Sequence, residues 1–291
     1  MEEIIAWLGQ VETLASDVYT QASFLFREDK GFSEFLRRLA EDEKRHAEFI
    51  QELRDYVRVR GIHPVSEVRV DKSVIESVEG PLKHTYELAA AGSLGKEQMV
   101  YAMVDVEHSE WNHIFLYVVG SFARYAKEFQ YMAAAIQAHK ARIQEFIDGL
   151  DQSCKPTVDV SDLPTVWHDR FLVVDDDEDV LRIFSAILSR KAEVHTARDG
   201  REALDKTKQH FFNVIVSDIE LPVMDGLKFY SQAVAQDPRI ASCFLFCSGA
   251  LTAERKVFLE SKRLRYLEKP VGMRELVEAV WDVARRSAEL M

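Results

Sequence analysis

Acidic and imidazole side chains in the first half of the chain occupy helix positions that would ordinarily hold leucine. Four stretches carry apolar residues at alternating steps of three and four, the spacing that helices bury against one another. Near the middle of these stripes stand Glu12, Glu43, His46, Glu107, Glu110 and His139. Burying unpaired carboxylates is costly, so this set requires a compensating positive charge in the core. The pattern therefore predicts a metal site inside a helical bundle.

A second set of chemically active residues follows short apolar runs in the second half of the chain. Asp175 and Asp176 follow one run, Asp218 follows another, Ser248 ends a third and Lys269 follows the last. Three carboxylates at one point suit Mg²⁺, a hard cation that prefers oxygen ligands. A hydroxyl and an ammonium group beside them suit a phosphoryl group carried by Asp218, whose charge they would neutralise.

The elements that must position these two sets differ between the halves of the chain. Residues 1–150 have an almost wholly helical apolar pattern, which predicts a four-helix bundle built from two similar hairpins. We expect breaks between the hairpins at Gly61 and at Gly80–Pro81. Residues 151–169 have little helical periodicity and form a predicted linker to a second domain over residues 170–291.

Five short apolar runs in the second domain alternate with helical patterns or with loops leading to them. Such runs suit parallel strands covered on both faces, which predicts a doubly wound α/β sheet. Ligands bind at the carboxyl ends of strands in these sheets, where the acids stand. The predicted strands are Phe171 to Val174, Glu193 to Thr196, Asn213 to Ser217, Cys243 to Cys247 and Arg265 to Leu267.

Residues 170–288 resemble the response-regulator receiver domain of two-component signalling. The segments VVDDDEDV, SDIELPVMDG, FCSGA and YLEKP match its four sequence blocks in order and spacing. The resemblance implies a flavodoxin-like five-stranded parallel sheet, and phosphorylation of Asp218 by a histidine kinase or phosphotransfer protein. It further implies these roles: Mg²⁺ held by Asp175, Asp176, Asp218 and the backbone carbonyl of Glu220; phosphoryl oxygens bound by Ser248 and Lys269; and Tyr266 as the switch aromatic.

Residues 1–150 resemble the ferritin-like superfamily, and the rubrerythrins in particular. The points of likeness are Tyr19 after Glu12, the stretch EDEKRHAEF and the pair Glu107 and Glu110 on the third helix. The resemblance implies one glutamate from each of two helices and Glu-x-x-His from each of the other two. Such a site would hold two Fe, or Fe and Mn, and carboxylates with imidazole also accept Zn.

The fourth helical stripe departs from this pattern, because Ile136 stands where the second Glu-x-x-His should begin. Glu110 could substitute at the second metal, or the site could be mononuclear or mixed. The chain also has no cysteine pair for the iron centre that supplies electrons in full rubrerythrins. A peroxidase would then need an external reductant, which favours a sensing role or stoichiometric redox chemistry over a catalytic enzyme.

Composition narrows the classes of partner. A net charge of -12 with a pI near 5.3 argues against nonspecific attraction to nucleic acid or anionic lipid. The sequence has neither a targeting segment nor an apolar run long enough for a membrane span. Its three cysteines form no CxxC pair and are expected to be reduced. We therefore expect a cytoplasmic protein, with a homodimer as its assembly.

The leading expectation is a two-component signalling protein in which the metal domain senses redox state, oxygen, peroxide or nitric oxide. The metal domain would supply this input to the phosphorylatable receiver, which would pass it on to a protein partner. The identity of that downstream partner is left open. One alternative is an oxidase or peroxidase whose activity is regulated by phosphorylation of Asp218. A second alternative is a metal-free helical dimerisation module joined to a receiver.

Overall fold

The computed structural model divides the chain into two compact units, Met1–Val166 and Trp167–Met291. The division lies within the predicted linker 151–169. Within the described residues, no helix is long and apolar enough to cross a membrane. The side chains of Glu110, His113 and residues 288–290 lie outside this description. The structure describes residues 2–60, 70–110, 113–123, 126–151, 155–157, 160–249 and 251–290.

The first unit is mainly helical. Helix α1 packs along α2 and α3, α2 also packs on α6, and α4 lies against α3. The apolar stripes of α1, α2 and α6 are buried as predicted, whereas the third stripe is shared between α4 and α5. The helices are α1 (Glu2–Leu25), α2 (Lys30–Arg60), α3 (Lys72–Ala90), α4 (Lys96–Glu110), α5 (His113–Phe122) and α6 (Lys127–Asp148).

The expected helix break at Gly80–Pro81 is wrong, because both residues lie inside α3. The helix begins where Asp71 caps it, accepting hydrogen bonds from the backbone N–H groups of the second and third following residues. Pro81 removes one backbone donor, yet the helix continues through it. Val78 and Leu82 are buried on either side, so packing against α1 outweighs the loss. The break expected at Gly61 lies outside the described residues.

The second unit is the predicted five-stranded parallel sheet with the strand order β2-β1-β3-β4-β5. Each predicted strand agrees with the observed one to within a residue at either end. Aliphatic side chains on the strands pack against a buried face of the last helix, including Leu276 and Val280. The strands are β1 (Arg170–Val174), β2 (Glu193–Ala197), β3 (Val214–Ser217), β4 (Phe244–Ser248) and β5 (Arg265–Glu268).

The helices of the second unit begin at residues that suit helix N-termini. Asp177, Asp199, Asp225 and Thr252 each accept backbone hydrogen bonds from the first turn that follows. The last residues of β1 and β3, Val174 and Ser217, pair with each other, and Ser217 pairs with Phe246, two residues before the end of β4. The residues that follow these strands therefore meet at one edge. The helices are α7 (Glu178–Leu188), α8 (Gly200–Gln209), α9 (Gly226–Gln236), α10 (Ala253–Ser261) and α11 (Met273–Leu290).

Candidate functional site

The carboxyl edge of the sheet brings together two aspartates and a lysine. Val174 pairs with Ser217, so Asp175 and Asp218 leave adjacent strands side by side. Both are buried, with 3% and 8% of their surfaces exposed. The Lys269 ammonium donates to Asp175 Oδ2 at 2.7 Å and to Asp218 Oδ2 at 2.5 Å. One cation thus holds two acids that would otherwise repel each other.

The pKa values in this pocket follow from its burial. Burial raises the pKa of Asp175 above its usual value, and the hydrogen bond from Lys269 only partly opposes this. Burial lowers the pKa of Lys269, but its hydrogen bonds to Asp175 and Asp218 outweigh that effect and raise the pKa above its usual value. Lys269 therefore stays positively charged at neutral pH and supplies a fixed cation beside both carboxylates.

The loop after β3 fixes the orientation of Asp218. Its Oδ1 accepts a hydrogen bond of 3.0 Å from the backbone N–H of Glu220. The backbone of Gly226 passes so close that a Cβ there would lie 2.1 Å from the Asp218 carbonyl oxygen. The Gly226 N–H also donates to the carbonyl of Ile219 at 2.9 Å. Glycine at this position therefore permits the tight loop that presents the aspartate.

The remaining residues predicted for this pocket lie around the same edge of the sheet. Asp176 is exposed next to Asp175, whereas Ser248 is buried at the end of β4. Tyr266 is half-buried in β5. The side chain of Glu220 points away to an ion pair with Arg255, which leaves only its backbone for the predicted role.

Helices α1 and α2 bring three of the predicted metal ligands together. Glu12 on α1 and Glu43 and His46 on α2 are buried, with at most 4% of their surfaces exposed. His46 Nδ1 lies 2.9 Å from Glu43 Oε2 and 3.3 Å from Glu12 Oε2. Potential ligand atoms of these residues all lie within 4.8 Å of one another, a spacing that could hold a metal ion.

A second triad shares Glu43 with the first. His139 Nε2 on α6 lies 2.8 Å from Glu43 Oε1 and 3.1 Å from Oε1 of Glu107 on α4. The Tyr19 hydroxyl donates to the same Glu107 oxygen at 2.8 Å. The three potential ligand groups again lie within 4.8 Å of one another. Glu43 would therefore supply a carboxylate oxygen to each of two cations if both triads held a metal.

Buried acceptors in the two triads fit a metal ion. Glu12 Oε2, Glu43 Oε1 and Glu107 Oε2 are buried and accept no hydrogen bond within the described part of the chain. The imidazole nitrogens of His46 and His139 lie 3.3 Å from Glu12 Oε2 and 2.8 Å from Glu43 Oε1. Buried oxygens without donors are costly, and cation ligation would satisfy them.

Charge in this cluster is balanced by protons when no metal is bound. Burial raises the pKa of Glu12 to about 8. Burial lowers the pKa of His46, but the adjacent glutamates outweigh this effect and raise it to about 9. The pKa of His139 is likewise held well above its usual value by Glu43 and Glu107, against burial. Burial raises the pKa of Glu43, yet the two imidazoles hold it well below its usual value.

Asp42 belongs to the cluster but was missed by the sequence patterns. Its Oδ2 lies 3.1 Å from His139 Nδ1, so it orients the ring whose Nε2 faces Glu43. Arg45 and Arg142 both pair with the buried Asp42 carboxylate. Asp42 lies one residue off the apolar stripe, and its place directly before Glu43 was the only available signal.

Two further positions bear on the number of metals. Glu110 ends α4, and its side chain lies outside the described residues, so its predicted role as a ligand stays a prediction. Ile136 is buried in α6, one turn before His139, with 1% of its surface exposed. The described ligand set is therefore three carboxylates and two imidazoles, with an aliphatic residue where a fourth carboxylate was expected.

Comparison with known proteins gives a match within the second unit. Residues 171–281 match the family model described as response regulator receiver domain. The transcriptional regulatory protein PrrA of Mycobacterium tuberculosis is 38% identical over 122 residues, which cover 42% of this chain and 52% of PrrA. The protein-glutamate methylesterase/protein-glutamine glutaminase 1 of Anaeromyxobacter dehalogenans is 39% identical over 127 residues, covering 42% of this chain and 35% of that protein.

A solved structure gives a similar comparison. A response regulator receiver domain protein (CheY-like) from Methanospirillum hungatei is 30% identical, with a TM-score of 0.39, covering 42% of this chain and 97% of that one. The chain spans about half the length of PrrA and about a third of the methylesterase.

Proposed function

Residues 171–281 form a response regulator receiver domain, and from this premise we propose that the chain is a two-component signalling protein with a metal-binding sensor unit. The observation that carries the proposal is the presence of two separate charged sites in one chain. Lys269 joins Asp175 and Asp218 at the sheet edge, and Glu43 is shared by two carboxylate–histidine triads among the helices. The first site suits phosphoryl transfer, and the second suits redox-active cations.

Asp218 is the proposed phosphoryl acceptor. A phosphohistidine of the partner kinase would lose its N–P bond as a carboxylate oxygen of Asp218 forms the new O–P bond. Lys269 already contacts this carboxylate and would neutralise charge on the transferred group. Mg²⁺, held by Asp175, Asp176, Asp218 and the Glu220 carbonyl, would supply further charge neutralisation. The fixed Glu220 N–H keeps the acceptor in one orientation before transfer.

Two further residues would report the modification. Ser248 ends β4, between β3 and β5, where its hydroxyl could donate to a phosphoryl oxygen. Tyr266 lies on β5 in register with Phe246 of β4, two residues before Ser248. Movement of Ser248 towards the phosphoryl group would free space for the aromatic ring to turn inward. The partner surface of the receiver would then change with phosphorylation.

The helical unit is the proposed input domain, and its described ligands resemble those of a ferritin-like, di-metal carboxylate bundle except at Ile136, where a carboxylate was expected. Glu12, Glu43 and His46 would hold one cation, and Glu43, Glu107 and His139 the other. Mixed carboxylate and imidazole ligands accept Fe, Mn and Zn. Fe or Mn would supply the change of oxidation state needed to detect redox state, oxygen, peroxide or nitric oxide. The concentration of buried carboxylate oxygens around two imidazoles supports this assignment over a simple packed core.

A metal-free bundle is the second candidate, and a specific observation favours it. The raised pKa values of His46 and His139 let imidazolium protons balance the buried carboxylates without a metal. Elemental analysis after anaerobic metal loading separates the two candidates. The reversed coupling, in which phosphorylation controls an oxidase or peroxidase, predicts peroxide-dependent turnover with an added reductant.

The receiver proposal is tested with a small-molecule phosphodonor and Mg²⁺, followed by intact-mass analysis. We expect one acid-stable, base-labile phosphoryl group on the wild-type protein and none on Asp218→Asn. Asp205→Asn is the matched control, because Asp205 is exposed on α8 and pairs with Lys208. Equal labelling of wild type and Asp218→Asn would overturn the assignment of the acceptor.

A further inference from the structure

Residues 160–166, here called the exit segment, pack on the helices that carry two of the proposed metal ligands. The short 3₁₀ helix Val160–Asp162 contacts both α4, which carries Glu107, and α6, which carries His139. Val160 is fully buried and Leu163 is 7% exposed. The last residue of the unit, Val166, ends this segment immediately before the receiver unit begins.

Two side chains of α6 form hydrogen bonds with the backbone of the exit segment. The Lys140 ammonium donates to the carbonyl of Leu163. The Gln137 side-chain carbonyl accepts a hydrogen bond of 3.0 Å from the backbone N–H of Val166. Gln137 lies two positions before His139, and Lys140 lies one position after it. Lys140 is itself buried, and a buried ammonium is tolerated only where acceptors such as this carbonyl compensate for lost hydration.

We propose that metal binding at the Glu43–Glu107–His139 triad makes opening of the exit segment rarer. Gln137 and Lys140 are the positioning residues for this effect. This inference rests on the proposed function of the helical unit. A cation bound by Glu107 and His139 would cross-link α4 and α6, the two helices that support the 3₁₀ helix. Any opening that separates these helices would then require loss of the cation, so metal binding makes the opening rarer. Metal occupancy thereby sets how firmly the segment leading to the receiver is held.

Hydrogen exchange on the full chain tests this inference. At a free metal concentration about ten times the dissociation constant, an opening that breaks the site should become about tenfold rarer. We therefore expect exchange at the Val166 amide to slow by about tenfold on loading with Fe(II) or Mn(II) under anaerobic conditions. Metal stoichiometry is measured on the same samples, so binding and transmission are observed separately.

Variants of the two positioning residues test whether the effect of metal on the exit segment depends on the Gln137 and Lys140 side chains. Gln137→Ala and Lys140→Met should each retain the wild-type metal stoichiometry while losing most of the metal-dependent slowing in residues 160–166. Lys140→Arg keeps a donor for the Leu163 carbonyl and should restore the response. Glu145→Gln is the matched control, because Glu145 is exposed on the same helix. The effect of metal on phosphorylation of Asp218 should fall in parallel.

The outcomes distinguish this inference from the function on which it rests. Metal binding with unchanged exchange in residues 160–166 overturns the inference and leaves the metal centre in place. A chain that binds no metal overturns both. If Lys140→Met does not fold, Gln137→Ala decides, because Gln137 is only half-buried. A full metal response in Gln137→Ala and in any folded Lys140→Met would also overturn the proposed path.

Discussion

The shared position of Glu43 gives the sharpest prediction for the helical unit. Glu12→Gln should remove only the first cation, and Glu107→Gln only the second, whereas Glu43→Gln should reduce binding at both sites. The reason is geometric, because Glu43 supplies an oxygen to each triad and the other two glutamates supply one triad each. We expect two equivalents of metal in the wild type, about one in each outer variant and the least in Glu43→Gln.

The magnitude of the accompanying loss of stability follows from the surroundings of Glu43. This side chain is 1% exposed, and its two oxygens lie 2.9 Å from His46 and 2.8 Å from His139. Breaking a buried ion pair of this kind costs about 3–5 kcal/mol. In a unit of this size each kcal/mol lowers the melting temperature by roughly 2–4 °C, so the metal-free variant should melt about 6–20 °C lower.

Metal stoichiometry is measured by anaerobic titration with Fe(II) and by elemental analysis after gel filtration. The melting temperature is measured by circular dichroism. Asp55→Asn is a control for loss of an acid on the same helix, since Asp55 is half-buried near the far end of α2 and pairs with Arg58. Two bound metals in Glu43→Gln would refute the bridging role. Loss of stability with unchanged, sub-stoichiometric metal in every protein would favour the metal-free bundle.

Further predictions concern one position in the bundle and two in the receiver. If Ile136 points into the second triad, Ile136→Glu should strengthen metal binding there, whereas a lower melting temperature with unchanged stoichiometry would refute this placement. Gly226→Ala should destabilise the receiver by roughly 3 kcal/mol in urea melts, because its Cβ would overlap the Asp218 carbonyl. A change below about 1 kcal/mol would contradict the close approach of the Gly226 backbone to Asp218. Burial raises the pKa of Cys247 to about 12, so iodoacetamide at pH 8 should label this thiol only after unfolding, and rapid native labelling would contradict its burial.

The receiver was predictable from sequence because its apolar runs and the residues that follow them both indicate a parallel α/β sheet with a site at one edge. Short apolar runs define the strands, and parallel strands place the acids that follow them at one edge. The position of Lys269 between Asp175 and Asp218 follows once these strand ends are aligned. The close approach of Gly226 was not predicted, because the path of a loop depends on backbone contacts that periodicity does not encode.

The helical unit was only partly predictable, because an apolar stripe identifies a buried face but not the neighbours of that face. Glu43 and His139 lie on predicted stripes and meet in the core. Asp42 reaches His139 only through the packing of α2 on α6, which a single-helix pattern does not contain. The continuation of α3 through Pro81 has the same origin, since tertiary packing compensated for a locally unfavourable residue.

In the proposed signalling protein, the state of the metal centre changes the phosphorylation of the receiver. The most direct measurement is the rate at which the full chain is phosphorylated on Asp218, with and without bound metal, at fixed Mg²⁺ and phosphodonor. We expect the two rates to differ by at least about fivefold, the lower end of ordinary coupling between sites. Identical rates for a protein shown to carry two metals and for the same protein stripped of them would contradict it.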